Sequence, residues 1–188
     1  AGTFALRTLT SPGDQVVLAG SGAYFVDRVP VGGCSSLYRT DGTLAGTLEV
    51  PLPVDACVSL GLLGVASGGR LLPAVSTPTT GFETWVVEDL SAAALGDLSP
   101  GPTSSLMVQD WWFYWSPGSS VSPTRAVFLA SEGAPGGLQV WVSDGSPTGT
   151  GRVTSFPEGF LPDAYPIRLA ITSLHEVGGA LFVPTWNG

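Results

Sequence analysis

Two copies of one short pattern carry the side chains best suited to turn chemistry or to cation binding. Each copy places an acidic residue, a glycine and a hydroxyl residue in succession, followed by a Gly-Thr pair. An aspartate can accept hydrogen bonds from backbone N–H groups two residues on, glycine tolerates a positive φ, and a hydroxyl adds a further bond. The pattern therefore predicts two structural turns that close β-hairpins. Their residues are Asp41, Gly42 and Thr43 in the first copy, and Asp144, Gly145 and Ser146 in the second.

Calcium binding is the alternative chemistry for these turns. Ca²⁺ takes about six to eight oxygen ligands, and oxygen-rich turns can supply them. Neither turn has the dense run of aspartates that a dedicated calcium loop carries, so hydrogen bonding to the backbone is the preferred interpretation. We predict no cofactor and no metal, with calcium kept as the alternative.

A run of aromatic residues within positions 109–118 is the candidate ligand-binding site. If the run forms a regular strand, alternation puts Trp111, Phe113 and Trp115 on one face and Trp112 and Tyr114 on the other. Trp and Tyr combine a flat apolar surface with a hydrogen-bonding edge, so one set could form a platform for sugar rings or a partner protein. The alternative is an inner strand wedged between repeats, followed by a longer loop.

No set of residues forms a recognisable catalytic constellation. The single histidine, His175, precedes Glu176 in a segment typical of a strand or turn, and no Ser or Cys lies in a nucleophile-elbow or protease context. Asp110, Glu132 and Glu158 could supply paired carboxylates for glycoside hydrolysis, but any acidic protein permits such a choice. We predict a protein that is not an enzyme, and keep a glycan-processing enzyme as a less favoured candidate.

Composition excludes several classes of partner. Charged residues make up 12% of the 188 positions. The sequence has seven cationic and fifteen acidic residues, for a formal net charge of −8. Nucleic acids and anionic membrane surfaces require clustered positive charge, so both are disfavoured as partners. The longest apolar stretch, residues 60–66, is too short and too rich in glycine to span a bilayer. We expect a soluble protein with no membrane insertion.

The two cysteines, Cys34 and Cys57, are compatible with one disulfide that closes a loop between adjacent repeats. A disulfide would place the protein outside the cytoplasm. Two buried free thiols are the alternative, because spacing alone does not establish that the side chains meet. The chain begins with Ala1 and shows no signal peptide, from which we expect a processed, excised or partly observed product.

Short strands must position these candidate residues. The 26 glycines and 16 prolines interrupt the sequence every few residues, which disfavours long helices. An apolar residue and a large aromatic recur thirteen positions apart, and we expect the three aromatics to fill the core between repeats. The pairs are Phe25 and Tyr38, Leu72 and Trp85, and Phe128 and Trp141.

The repeat organises the whole chain into four units. The predicted units are residues 14–58, 59–104 and 105–160, and a split unit of residues 161–188 with residues 1–13. Four short antiparallel strands per unit are typical of a propeller blade. We therefore predict a single all-β domain: a β-propeller, or a propeller fragment, of about four four-stranded antiparallel blades with both chain ends inside one blade.

The two clear copies resemble the Glu-Leu-Trp-x-x-Asp-Gly-Thr-x-x-Gly-Thr repeats of bacterial secreted and surface proteins. They span Leu37 to Thr47 and Val140 to Thr150, and residues 97–101 are similar to the Asp-Ile-x-Pro-Gly that follows the motif in that family. The leading Glu is replaced by Ser36 and Gln139, and the second unit lacks the Asp-Gly-Thr turn. The resemblance implies a β-propeller fold and a secreted or cell-surface location, but no common activity.

These features together predict a non-catalytic, extracellular or cell-surface β-propeller module that binds a protein or a glycan. The competing prediction is an architectural subunit. In that case, another copy would pair with the strand edges that an incomplete blade leaves open.

Overall fold

A computed structural model describes residues 12–27, 35–53, 57–66, 69–106, 125–133, 137–157, 175–177 and 180–182. Every strand in these ranges pairs antiparallel with its neighbour, and the same ranges contain no α-helix. The prediction of an all-β, antiparallel fold is confirmed for this part of the chain. The described strands form four sheets.

The first sheet contains four strands in chain order: β1 (Pro12–Ala19), β2 (Gly22–Asp27), β3 (Ser36–Thr40) and β4 (Leu48–Glu49). Its register places Phe25 opposite Tyr38, and Tyr38 opposite Glu49. The Phe25 and Tyr38 rings stack, with centroids 5.5 Å apart. The thirteen-residue interval in this sheet is therefore a direct cross-strand pair.

The second sheet has the same strand order, with β5 (Cys57–Ala66), β6 (Arg70–Thr77), β7 (Gly81–Glu88) and β8 (Ser91–Ala94). Its β6–β7 register pairs Leu71 with Val87 and Ala74 with Thr84, which leaves Leu72 one position away from a pairing with Trp85. The interval that marks this unit in the sequence is thus offset by one residue from the pairing seen in the first sheet.

The third sheet and a two-stranded ribbon complete the described strands. The third sheet contains β9 (Ala126–Ser131), β10 (Leu138–Ser143) and β11 (Gly151–Arg152), and the ribbon contains β12 (His175–Val177) and β13 (Ala180–Phe182). Phe128 pairs with Trp141, and Trp141 pairs with Arg152. The third sheet thus repeats the register of the first.

The three larger sheets pack face to face in chain order. One apolar cluster joins the first sheet to the second, and another joins the opposite face of the second sheet to the third. A β-strand points successive side chains to opposite faces, which is why neighbouring residues such as Leu71 and Leu72 enter different clusters. The first cluster contains Ala19, Tyr24, Val26, Leu37, Val50, Leu71 and Val87. The second contains Leu72, Ala74, Leu95, Leu106, Ala126, Phe128, Ala130 and Trp141.

All three repeated aromatics are buried, and Trp85 and Trp141 each point toward the sheet that precedes their own. Trp141 packs in the cluster between the second and third sheets. Trp85 shares a strand face with Val87, which contacts the first sheet. Tyr38 follows Leu37, whose side chain contacts the second sheet, so Tyr38 lies on the opposite, outward face of the first sheet. Its exposed fraction is nevertheless only 3%.

Several sequence predictions fall outside the described residues. They include Cys34, so the disulfide with Cys57, the first residue of β5, stays a prediction. The aromatic platform and two of the three candidate hydrolytic carboxylates stay predictions for the same reason. The residues concerned are Trp111, Trp112, Phe113, Tyr114, Trp115, Asp110 and Glu158.

Candidate functional site

The turn between β3 and β4 is built on the Asp41 carboxylate. Oδ1 of Asp41 accepts hydrogen bonds from the Thr43 backbone N–H at 2.9 Å and from the Thr43 hydroxyl at 2.7 Å. The Thr43 hydroxyl oxygen in turn accepts a bond from the Gly46 N–H at 2.9 Å. The Thr47 hydroxyl closes the turn by donating to the Thr43 carbonyl at 2.6 Å. The Asp41, Thr43 and Thr47 side chains of the motif are thereby all used inside the turn.

The turn between β10 and β11 has the same set of bonds. Asp144 Oδ1 accepts from the N–H and hydroxyl of Ser146 at 2.8 and 2.7 Å, and the Ser146 hydroxyl accepts from the Gly149 N–H at 3.0 Å. The Thr150 hydroxyl donates to the Ser146 carbonyl at 2.7 Å. Serine replaces threonine at the third position without loss, because only the hydroxyl is used.

A hydroxyl residue before each aspartate also belongs to the turn, although the sequence analysis did not single it out. Thr40 Oγ1 accepts a bond from the Gly42 N–H at 3.0 Å and lies 2.7 Å from the Thr47 hydroxyl. Ser143 makes the equivalent bond to the Gly145 N–H at 3.0 Å, and its hydroxyl lies 2.7 Å from that of Thr150. The available signal was the recurrence of a hydroxyl at this position in both copies.

Glycine is required at the later position of each motif by a close approach. A Cβ atom on Gly46 would collide with the Asp41 carboxylate, and one on Gly149 would collide with that of Asp144. The aspartate side chain folds back over the glycine α-carbon, and no larger residue leaves it room. The second role of glycine is conformational, since Gly42 has a φ of 88°.

Hydrogen bonding holds both turn aspartates in their ionised form. The side-chain and backbone bonds from Thr43 lower the pKa of Asp41, and those from Ser146 lower the pKa of Asp144. In the described part of the chain, no three His, Cys, Asp or Glu side chains converge where they could hold a metal ion. Calcium binding by these turns therefore stays an untested alternative.

A set of polar residues lies at the margin where the first and second sheets meet: Ser21, Arg39, Arg70, Glu88 and Asp89. Arg39 Nε lies 3.2 Å from Asp89 Oδ1, and its Nη2 donates to the Ser21 hydroxyl at 3.0 Å. Arg70 Nε donates to Glu88 Oε2 at 3.2 Å. The acidic partners are well exposed, so these ion pairs set side-chain positions more than they stabilise the fold.

Glu132 is the candidate hydrolytic carboxylate that the described ranges contain. Its Oε2 accepts a bond from Arg152 Nη1 at 2.7 Å. His175 is the first residue of β12, where it pairs with Phe182. The structure thus places Glu132 in an ion pair and His175 in a strand, whereas Asp110 and Glu158 lie outside the described residues.

The described residues define the class of this molecule as an all-β protein of stacked antiparallel sheets. Comparison with known protein families, with curated proteins and with solved structures finds no match to the chain. Across the described ranges, no helix has the length and apolar character needed to cross a membrane.

Proposed function

We propose that this chain is a β-propeller module that binds a protein or a glycan outside the cell or at its surface, without catalysis. The support for a propeller begins with the packing of the sheets. The three larger sheets stack in chain order, and Trp85 and Trp141 face the sheet before their own. Blades of a propeller relate to one another in this way around a central axis.

The burial of particular side chains on the outward faces of both end sheets is the observation that carries the proposal. Tyr38, on the outward face of the first sheet, is 3% exposed, and Val127 and Val140, on the outward face of the third sheet, are each 2% exposed. In an open stack, apolar side chains on these two faces would meet solvent. The low exposure of these three side chains supports closure into a ring, whereas Val16 and Leu18, on the same outward face as Tyr38, are 67% and 77% exposed.

The ribbon supports a fourth unit because its pairing matches that of the β1–β2 hairpin. Phe25 lies opposite Val16 in the first sheet, and Phe182 lies opposite His175 in the ribbon. Two positions closer to the turn, Ala23 lies opposite Leu18 and Ala180 lies opposite Val177. Phe182 and Ala180 of the ribbon thus correspond to Phe25 and Ala23 of the first sheet, in keeping with the repeat in the sequence.

Small-angle X-ray scattering and light scattering test the ring. A closed monomer of 188 residues should have a radius of gyration of about 16 Å and a molar mass that does not change with concentration. An elongated particle of monomer mass would contradict closure. A mass that rises with concentration would instead favour the architectural alternative.

The aromatic segment, residues 111–115, is the proposed binding surface. Stacking of tryptophan and tyrosine on sugar rings or on a partner's apolar side chains would provide affinity. We would titrate a panel of soluble polysaccharides and measure binding by calorimetry. The variant W111A/W115A tests one predicted face, and W112A/Y114A tests the other. Leu44→Ala is the control, because Leu44 is 69% exposed and lies in the β3–β4 turn.

Loss of binding in one aromatic pair, with the other pair and the control unchanged, is the expected result. Equal loss in both pairs with reduced thermal stability would assign the segment to the core and contradict a binding platform. Binding that survives both double substitutions would also contradict the proposed surface.

The architectural subunit remains the second candidate because of one specific observation. β1 is an edge strand, and its Val16 and Leu18 side chains are 67% and 77% exposed. An edge with exposed apolar residues favours pairing with another chain. If assembly uses this edge, the variant V16K/L18K should abolish any concentration-dependent mass, whereas Leu44→Lys should leave it unchanged.

A further inference from the structure

Glu83 on β7 is a buried carboxylate held by one segment of the chain. Its exposed fraction is 1%. The segment is the crossover, residues 95–106, which leads from β8 toward the third sheet. Oε2 accepts bonds from the Leu98 N–H at 3.1 Å and from the Ser105 hydroxyl at 2.6 Å, and Oε1 accepts from the Ser105 N–H at 3.1 Å. Glu83 therefore fastens the crossover at two points.

The crossover also forms part of the junction between the second and third sheets. The Ser105 carbonyl accepts a bond from the Ser131 N–H at the end of β9, at 2.8 Å. Leu106 is fully buried in the cluster that contains Trp141. The N–H groups of Ser105 and Leu106 both donate to the Phe82 carbonyl, at 3.1 and 3.2 Å. A change in the hydrogen bonds between Glu83 and Ser105 would therefore affect the contact between the second and third sheets.

All of the groups that hold the Glu83 carboxylate are neutral donors. Burial raises the pKa of Glu83, and the negative charge of Asp97 acts in the same direction. The bonds from Ser105 and Leu98 act in the opposite direction without cancelling the effect of burial. Compared with an exposed glutamate, Glu83 therefore favours its protonated form more strongly.

Among the described residues, the other charged groups on the neighbouring elements do not face Glu83. Glu83 pairs with Val75 in the β6–β7 register, so Arg70 at the start of β6 and Glu88 at the end of β7 are each five residues away along their strands. Glu132, which follows Ser131, is engaged with Arg152 at 2.7 Å.

The geometry around Ser105 accommodates both protonation states. With Glu83 ionised, the Ser105 hydroxyl donates to Oε2. When Oε2 takes a proton from solvent, it can donate to Ser105 Oγ, and the Ser105 hydroxyl can turn toward the Phe82 carbonyl, which lies 3.3 Å away. The Ser105 N–H bond to Oε1 is retained in either state. Proton uptake thus removes a buried charge, and the Ser105 hydroxyl then accepts from Oε2 while it donates to the Phe82 carbonyl.

We propose that Glu83 and Ser105 form a proton-dependent latch that holds the crossover against β7 more tightly in acid than at neutral pH. The sign follows from linkage. A carboxyl group that binds its proton more tightly in the closed state than in the open state favours closure at low pH. This contribution is complete below the ordinary pKa of an exposed glutamate and is lost as the pH rises through the higher pKa of the closed latch.

The third sheet contains a built-in control. Gln139 on β10 is buried like Glu83 and binds the segment that follows β11. Its Oε1 accepts from the Phe156 N–H at 2.8 Å and from the Thr154 hydroxyl at 3.0 Å, and its Nε2 donates to the Phe156 carbonyl at 3.0 Å. An amide does not titrate, so this fastening should not respond to pH.

The test is amide hydrogen exchange by NMR, with rates divided by the intrinsic rate at each pH to give protection factors. The midpoint of Glu83 itself would be read from its side-chain carboxyl ¹³C shift. We expect the protection of the Ser105 and Leu106 amides to fall as the pH rises through that midpoint. The total fall should be tenfold for each pH unit by which the midpoint exceeds that of an exposed glutamate. The Phe156 amide should show no such change. The variant Glu83→Gln should abolish the pH-dependent fall in protection at Ser105 and Leu106.

Three outcomes would overturn the latch: a Glu83 midpoint at or below that of an exposed glutamate, protection that increases with pH, or a Phe156 amide that follows Ser105. If Glu83→Gln does not fold, the comparison of Ser105 with Phe156 in the unmodified protein decides the question.

Discussion

Gly46 and Gly149 are as important to their turns as the aspartates that lead them. In each turn the carboxylate lies directly over the glycine α-carbon while its Oδ1 accepts two hydrogen bonds. The aspartate and hydroxyl roles were predictable from the sequence, because side-chain to backbone bonds over two residues are local. The role of the later glycine was not, since it depends on how the aspartate side chain folds across the turn.

Gly149→Ala should therefore destabilise the protein by about 1 to 3 kcal/mol, a range typical of forced overpacking. Gly151→Ala is the matched control, since a Cβ at Gly151 meets no atom within 4 Å. Urea unfolding of both variants measures the difference. In an Asp144→Ala background the cost of Gly149→Ala should shrink, because the colliding carboxylate is gone. An unchanged cost in that background would contradict the explanation.

Glu83, Gln139 and Ser36 occupy equivalent positions in the three larger sheets, two residues before the repeated aromatic. Glu83 and Gln139 each bind backbone groups of the segment that follows the last strand of their sheet. The first sheet has Ser36 there, and the corresponding segment carries Pro51 and Pro53, which have no N–H to donate. The first sheet thus lacks both the Glu or Gln side chain and the backbone N–H groups that this side chain would bind. The fastening role of Glu83 was not predicted, because Ser105 returns to it from 22 residues away.

At the scale of elements, the thirteen-residue interval corresponds to a direct cross-strand pair in the first and third sheets but not in the second. Phe25 with Tyr38 and Phe128 with Trp141 are direct cross-strand pairs. In the second sheet the aromatic repeats but the register is shifted, and β7 connects to β8 through a short turn at Asp89 instead of an Asp-Gly turn. Asp89 adopts a φ of 52°, a region that Asp tolerates better than most residues. Spacing alone does not reveal a shift of one residue, because both registers bury apolar side chains.

Two buried hydroxyls at neighbouring sheet interfaces provide a test of what holds the sheets together. The Tyr24 hydroxyl donates to the Asp89 carbonyl at 3.1 Å and so links the first sheet to the second. The Thr84 hydroxyl, on the other face of the second sheet, is fully buried without a hydrogen-bond partner. Tyr24→Phe should lower the free energy of unfolding by about 1 kcal/mol, whereas Thr84→Val should leave it unchanged or raise it. Chemical denaturation measures both, and a larger loss for Thr84→Val would contradict this assignment.

At the scale of the whole molecule, buried and exposed carboxyl groups oppose one another as the pH changes. The pKa of Glu83 is raised from its ordinary value of 4.5, so its contribution to stability grows as the pH falls toward 4.5. The pKa values of Asp41 and Asp144 are lowered from 3.8, so their contributions are present above 3.8 and are lost as the pH falls through the lowered values. These three groups together favour maximal stability in mild acid.

Unfolding by urea at a series of pH values, from about pH 3 to about pH 7, would test this balance. Glu83→Gln should remove the loss of stability on the neutral side of the maximum. The double variant D41N/D144N should flatten the loss on the acid side, although it also weakens both turns. A wild-type stability that rises steadily from pH 4.5 to neutral would contradict the contribution assigned to Glu83.

The all-β class was predictable from turn residues distributed along the chain, because glycine and proline spacing limits strand length locally. Closure of the sheets into a ring stays a prediction from the repeat, since it would join residues from opposite ends of the sequence. Burial of Tyr38 and of Val140 became visible only with the three-dimensional structure. No local pattern reports whether a face is covered.

The stacking of the sheets in chain order has a consequence for the order of folding. The first and second sheets are each formed from a short continuous stretch of chain, and each packs on its neighbour in sequence. Contacts between residues close in sequence form quickly, because little loop entropy is lost. During synthesis the first sheet can thus be complete before the second leaves the ribosome, and each finished sheet offers a surface for the next. Closure into the proposed ring would be the last step, because it needs residues from both ends of the chain, and such non-local pairing is slow and exposed to aggregation.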